Sequence, residues 1–208
     1  KNYYRWRKRG GLGAAMQRST FGIRFEEEKM YYSTTYSSPI CKITLACDGK
    51  NLVGLWMEGQ KYFGNTVPEK MTEKDDLPVF IETKKWLDRY FAGEKPAIYE
   101  LPLKPIGGGF RQEVWSILCD IPYGEVTTYG AIANKIAVRT SKKSMSSQAV
   151  GGAVGHNPIS IIIPCHRVVG SNGSLTGYAG GVETKIKLLE HEGVDTSRLF
   201  VPQKGTAL

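Results

Sequence analysis

The chain has 208 residues, 41% of them hydrophobic, and a formal net charge of +8. That length and apolar content suffice for one large core or two modest ones, and no apolar run is long enough to span a bilayer. With no signal-peptide core at the N-terminus either, the expectation is a soluble, intracellular protein. Its four cysteines, Cys41, Cys47, Cys119 and Cys165, are scattered without metal-ligand spacing among only three histidines. Neither a zinc site nor a disulfide framework is expected.

The positive charge is unevenly placed. Residues 1–29 hold eight Lys/Arg against three Glu, leaving 20 basic and 17 acidic residues for the other positions. This balance permits a polyanionic partner without demanding one. Residues 1–29 read as an extension with no sustained period. It suits a DNA-tracking tail in KNYYRWRKR, a targeting or processing segment, or, the preferred reading, sequence foreign to the folded protein. From Tyr31 the pattern turns β. Cys41, Ile43, Leu45 and Cys47 alternate with polar or small residues, Asp48-Gly49 makes a turn, and Leu52 to Met57 returns, which predicts a hairpin with both cysteines as core filler. Residues 64–78 carry Gly64, Pro68 and Pro78 and read as a surface loop. Val79 to Phe91 sets Phe80, Leu87 and Phe91 on one helical face with Trp86 and Tyr90 beside it, ended by Gly93.

The segment 101–109, with Pro102, Pro105 and three glycines, reads as a linker. Phe110, Val114, Ile117 and Leu118 then mark an amphipathic helix, with Cys119 as packing. Ile121-Pro-Tyr-Gly124 turns the chain, and Thr127 or Thr128 is placed to cap a helix over 129–136. A basic loop with Arg139, Lys142 and Lys143 leads to a short helix over 148–155, started by Ser146 or Ser147. Two short helices joined by a turn suggest a helix-turn-helix. The second has almost no side-chain bulk (Ala149, Gly151, Gly152, Ala153, Gly155), which fits close packing on a neighbouring element or close approach to a phosphate backbone.

Ile159-Ser-Ile-Ile-Ile163 predicts a buried strand that Pro164 stops, so the chain turns at Cys165. A Pro-initiated helical turn directs free N–H groups at Cys165, and with His166 alongside it favours thiolate over thiol. The pair is also compatible with a buried structural cysteine and a surface histidine. Downstream lie a Gly-rich lid from Gly170 to Gly181 and a helix from Val182 to Glu192 ended by Gly193.

PCHRVV at 164–169, preceded by AVGGAVGHNPI and followed by GYAGG and LLEHEG, resembles the O6-alkylguanine-DNA alkyltransferases, and the likeness runs from about Met30 to Gly193. It implies an α/β (α+β) fold: a small RNase-H-like α/β domain over 30–100, mainly structural, then a mainly helical, winged-helix-like DNA-binding and active-site domain over 110–195, with 196–208 a tail. The resemblance implies Cys165 as nucleophile, His166 as base through a water, Glu192 as its orienter and Tyr129 as proton donor to the leaving guanine. Backbone groups of Cys165 and Val168 would read the exocyclic amine, Tyr178 and Ala179 would line the substituent pocket, and Asn157 would brace the turn into the active-site segment. The implied partner is double-stranded DNA with alkylated guanine, and possibly O4-alkylthymine, met in the minor groove with the lesion flipped out. Gln148, Ala149, Gly151 and Gly152 of the recognition helix, with Arg167, are the expected DNA contacts. Gln148 departs from the arginine finger of many members and lacks its charge and fork. No cofactor is implied, and the expected state is a monomer in a bacterial-type cytoplasm or a nucleus. A lesion-binding relative without transfer, a helix-turn-helix regulator and a cysteine hydrolase are the alternatives; the intact PCHRV speaks against the first, and the thiol, His166 and Glu192 against the second.

Overall fold

The computed structural model describes residues 30–67 and 70–202. The readings of residues 1–29, of Pro68 and of the last six residues of the tail lie outside the described residues. The N-terminal half is a four-stranded sheet. Strands β1 (Tyr31–Ser37), β2 (Lys42–Cys47) and β3 (Leu52–Met57) are antiparallel neighbours, and β4 (Met71–Glu73) adds in parallel to β1, giving the order β3-β2-β1-β4. β4 lies inside the expected surface loop; three residues with no apolar alternation carry no strand signal. The Asp48-Gly49 hairpin forms, with the Asp48 carboxylate accepting the Asn51 N–H at 2.7 Å. Cys47 is buried as expected, whereas Cys41 precedes the strand and is half-buried. Every residue of β3 is buried, because both faces of the sheet are covered there. Ile43, Leu45, Leu55 and Met57 join the main core, while Tyr31, Ala46, Val53, Trp56 and Val67 form a second cluster. Gly54 makes room for the Trp56 ring, which a Cβ there would meet at 2.0 Å.

Helix α1 (Pro78–Phe91) starts on a proline, which needs no donor there, and buries Val79, Phe80, Thr83, Trp86, Leu87 and Tyr90. The face is therefore centred on Trp86 and Tyr90 rather than on Phe91, which is half-buried. Gly93, at φ 84°, ends the helix and returns its N–H to the Tyr90 carbonyl. The segment after it packs onto the sheet: Leu101 and Leu103 are buried, and the Leu52 N–H donates to the Pro102 carbonyl at 2.8 Å.

Helices α2 (Gly109–Leu118), α3 (Tyr129–Arg139) and α4 (Ser147–Gly155) pack together as the second half. In α2 the buried face is Val114, Trp115, Ile117 and Leu118, and Phe110 is exposed. The Trp115 indole donates to the Ala153 carbonyl at 2.9 Å and so ties α2 to α4. Thr128 caps α3 and Ser146 caps α4 through their hydroxyls. Two two-residue strands, β5 (Thr127–Thr128) and β6 (Val168–Val169), pair in parallel, and α5 (Val182–His191) closes the chain over them. The Ile159 run is not a strand. Only Ile159 bridges to Leu55 of β3; Ile161 then takes φ 67°, a left-handed conformation rare for a β-branched residue, and the chain coils into a 3₁₀ turn at Cys165–Arg167. A buried apolar run reads alike whether it pairs or coils.

Candidate active site

Cys165 opens the 3₁₀ turn after Pro164 and is 4% exposed. Its Sγ accepts a hydrogen bond from Asn157 Nδ2 at 3.0 Å. The same amide donates to the Ile163 carbonyl at 2.8 Å, and Asn157 Oδ1 accepts the Ile159 N–H at 3.1 Å. One buried side chain thus holds both the coiled segment and the sulfur. Burial pushes the Cys165 thiol up; the Asn157 bond, the Lys185 charge and the Cys165 and His166 N–H groups oppose it without prevailing. Burial thus works against the thiolate that the turn and the histidine were expected to favour.

His166 is fully buried, with Nε2 2.7 Å from Glu192 Oε1. Glu192 caps α5 and also accepts from Arg167 Nε (2.8 Å), Arg167 Nη2 (3.0 Å), the Tyr90 hydroxyl (2.8 Å) and the Gly124 N–H (3.2 Å). Burial works to raise the carboxyl pKa, but the bonds and charges of His166 and Arg167 outweigh it and hold Glu192 well below the usual range. Opposite an ionised carboxylate, Nε2 carries the proton. Nδ1, which has no hydrogen-bond partner among the described residues, is then the free base, and burial keeps the ring neutral.

Arg167, expected among the DNA contacts, faces the interior instead. It is 6% exposed, its Nη1 donates to the Ile121 carbonyl at 2.6 Å, and its other nitrogens serve Glu192. Tyr129, first in α3, donates its hydroxyl to the Thr176 carbonyl of the lid at 2.9 Å and is pushed up by burial. Gly177 lies so close that a Cβ would sit 2.6 Å from that hydroxyl. Tyr178 is buried edge-on to His166, with ring centroids 6.5 Å apart, and Ala179 beside it accepts the Lys61 N–H at 3.0 Å. On α4, Gln148 and Ala149 face solvent, and a Cβ at Gly152 or Gly155 would meet nothing within 4 Å. At Gly151 the nearest atom is 3.8 Å away, so internal packing does not require these glycines.

Two residues of the site escape sequence reasoning. Tyr90, on the core face of α1, reaches Glu192 from the other half of the molecule. Lys185 of α5 is fully buried, with no carboxylate partner among the described residues. Its Nζ donates to the Val168 carbonyl at 2.5 Å and to the Thr176 carbonyl at 2.9 Å. Burial pushes its pKa down to about 8, and Cys165 opposes that shift. A lysine on an amphipathic helix normally reads as solvated; only its lack of an acidic neighbour at helical spacing hinted otherwise.

A thiol and a histidine–carboxylate pair under a Gly-rich lid, beside a helix-turn-helix with a bare second helix, match two adjoining family models. Residues 30–105 match the ribonuclease-like domain of 6-O-methylguanine DNA methyltransferase, and residues 109–194 match its DNA binding domain. The chain belongs to this family. It is 42% identical over 163 residues (78% of this chain, 87% of the relative) to the methylated-DNA–protein-cysteine methyltransferase of Haemophilus influenzae. To that of Methanosarcina acetivorans it is 44% identical over 165 residues (79% and 99%). The crystal structure of the Mycobacterium tuberculosis O6-methylguanine methyltransferase superposes with a TM-score of 0.67 at 40% identity, covering 84% of this chain and 97% of that one. The M. tuberculosis protein solved in complex with DNA gives 0.66 at 41% identity, covering 82% and 94%. The mixed fold, a small sheet domain followed by a helical one, is that of the methyltransferase family.

Proposed function

We propose that this methyltransferase-family chain repairs DNA by direct reversal, taking the alkyl group of an O6-alkylguanine irreversibly onto Cys165. The observation that carries the reading is the buried Cys165 thiol, held by Asn157 and backed by the His166–Glu192 pair. His166 Nδ1 accepts the thiol proton through a water, and the imidazolium so formed is stabilised by Glu192. The sulfur then attacks the alkyl carbon; the S–C bond forms as the C–O6 bond breaks, and the electron pair leaves on guanine. Tyr129 supplies the proton that neutralises the base. To do so its hydroxyl turns from the Thr176 carbonyl, which Lys185 still satisfies. Val168 and Cys165 backbone groups recognise the base, and Tyr178 and Ala179 border the alkyl group. The thioether product has no route back, so each molecule acts once.

The lesion reaches the thiol by rotation out of the duplex. α4 lies in the minor groove with Ala149, Gly151 and Gly152 against the backbone, and Gln148 fills the space left in the stack. The protein acts as a monomer in the compartment that holds the DNA, a bacterial-type cytoplasm or a nucleus. With a slight excess of duplex bearing O6-methylguanine, intact and peptide masses are expected to show one methyl per molecule on Cys165 and none in Cys165→Ala. Tight binding with no mass change would leave a lesion-recognition protein instead.

A further inference from the structure

Between β3 and β4 the sheet domain sends a loop onto the active-site lid. Gln60 is buried, and its Oε1 accepts the Met57 N–H at 3.1 Å and the Ser160 hydroxyl at 3.0 Å. The next residue, Lys61, gives its N–H to the lid carbonyl of Ala179. Tyr62 follows at φ 61° and lays its ring on the imidazole of His156, the C-cap of α4, with centroids 4.1 Å apart and planes 22° from parallel. Tyr62 is 38% exposed, and its hydroxyl has no hydrogen bond among the described residues. The loop therefore bridges the lid and the recognition helix at their outer ends.

A cavity of about 40 Å³ lies beneath this bridge, lined by Lys61, Tyr62, Gly152, His156, Gly177 and Ala179. It takes a small group or a water, far short of the ~150 Å³ that admits a benzene ring. Gly177 lines this cavity and also abuts the Tyr129 hydroxyl, so one residue borders both. We propose that Tyr62 is a specificity-determining residue: its ring is the outer wall of the slot between α4 and the lid, and it restricts transfer to small O6 substituents. The inference rests on the alkyl-transfer reading above. A wall from the sheet domain limits size without altering the thiol, His166 or Tyr129.

The test is single-turnover transfer to full-length protein from duplexes carrying O6-methylguanine or O6-benzylguanine, and from free O6-benzylguanine, which needs no DNA contact. In Tyr62→Gly the benzyl-to-methyl rate ratio is expected to rise about tenfold, the discrimination usual for a pocket wall, with free O6-benzylguanine accelerated alike. Glycine suits the positive φ, so the loop keeps its backbone. Tyr62→Phe preserves the stack and should restore the wild-type ratio. An unchanged ratio in Tyr62→Gly, or equal slowing on both duplexes, overturns the inference. A wild-type protein that accepts neither group removes the transfer reading itself, and the wall with it.

Discussion

Glu192 is the residue on which most of the site converges, since its two oxygens receive His166, Arg167, Tyr90 and the Gly124 N–H. Glu192→Gln keeps the shape but turns an amide on the buried guanidinium. Leaving one partner of a buried pair uncompensated costs about 3–5 kcal/mol, and loss of the imidazole's orienter should slow transfer by roughly a hundredfold or more. Urea unfolding reads the first and single-turnover transfer the second. The pH dependence has a definite sign. The carboxyl pKa is lower in the folded state than its ordinary value of 4.5, so the stabilisation is fully present above 4.5 and drains away as pH falls below it. Wild type should lose stability through that window more steeply than Glu192→Gln, and equal slopes would contradict this account.

At the scale of elements, the Gly-rich lid is held from beneath by α5 through Lys185, which serves the Val168 carbonyl just before it and the Thr176 carbonyl within it. Lys185→Met fills the volume and leaves two buried acceptors without that donor, a loss of about 1–3 kcal/mol for each one left unsatisfied. Faster hydrogen exchange across residues 170–177 would locate the effect in the lid. Because the folded pKa is depressed from 10.5 to about 8, the unfolded chain keeps this proton after the folded one has shed it. Wild type should therefore gain on Lys185→Met as pH rises from 8 to 10.5. The same contacts explain what the sequence hid. Capped helices, the hairpin and the PCHRVV turn were legible because each has local chemistry: Thr128, Ser146, Asp48-Gly49, Pro164. Tyr90, Lys185 and Arg167 were not, because their burial is created by elements distant in the chain, and a charged side chain read alone is assigned to solvent or to DNA. The Ile159 run misled for a related reason, since apolarity reports burial and not backbone conformation.

Over the whole molecule, the two halves share one interior. The main core runs from Ile43 and Leu45 of the sheet through Trp86 and Tyr90 to Trp115, Ile163 and Leu188. Backbone bonds cross the boundary as well: the Leu55 N–H donates to the Pro158 carbonyl at 2.8 Å, and the Ser160 N–H to the Leu55 carbonyl at 3.0 Å. The active-site segment is thus fastened to the edge strand of the other half, and Tyr90 completes the carboxylate cluster from there. Such a boundary gives neither half a complete core of its own, so both should unfold together. The cysteines allow a direct measurement. Cys47 lies in the sheet and Cys119 at the end of α2, both buried, with the Cys119 thiol pushed up to about 12 by burial. Each should become open to iodoacetamide only on unfolding, and peptide masses across a urea series should give one shared midpoint. Two separated midpoints would mean that the sheet half is an independent unit, and that Tyr90 and Tyr62 are contributed by a domain free to leave the site.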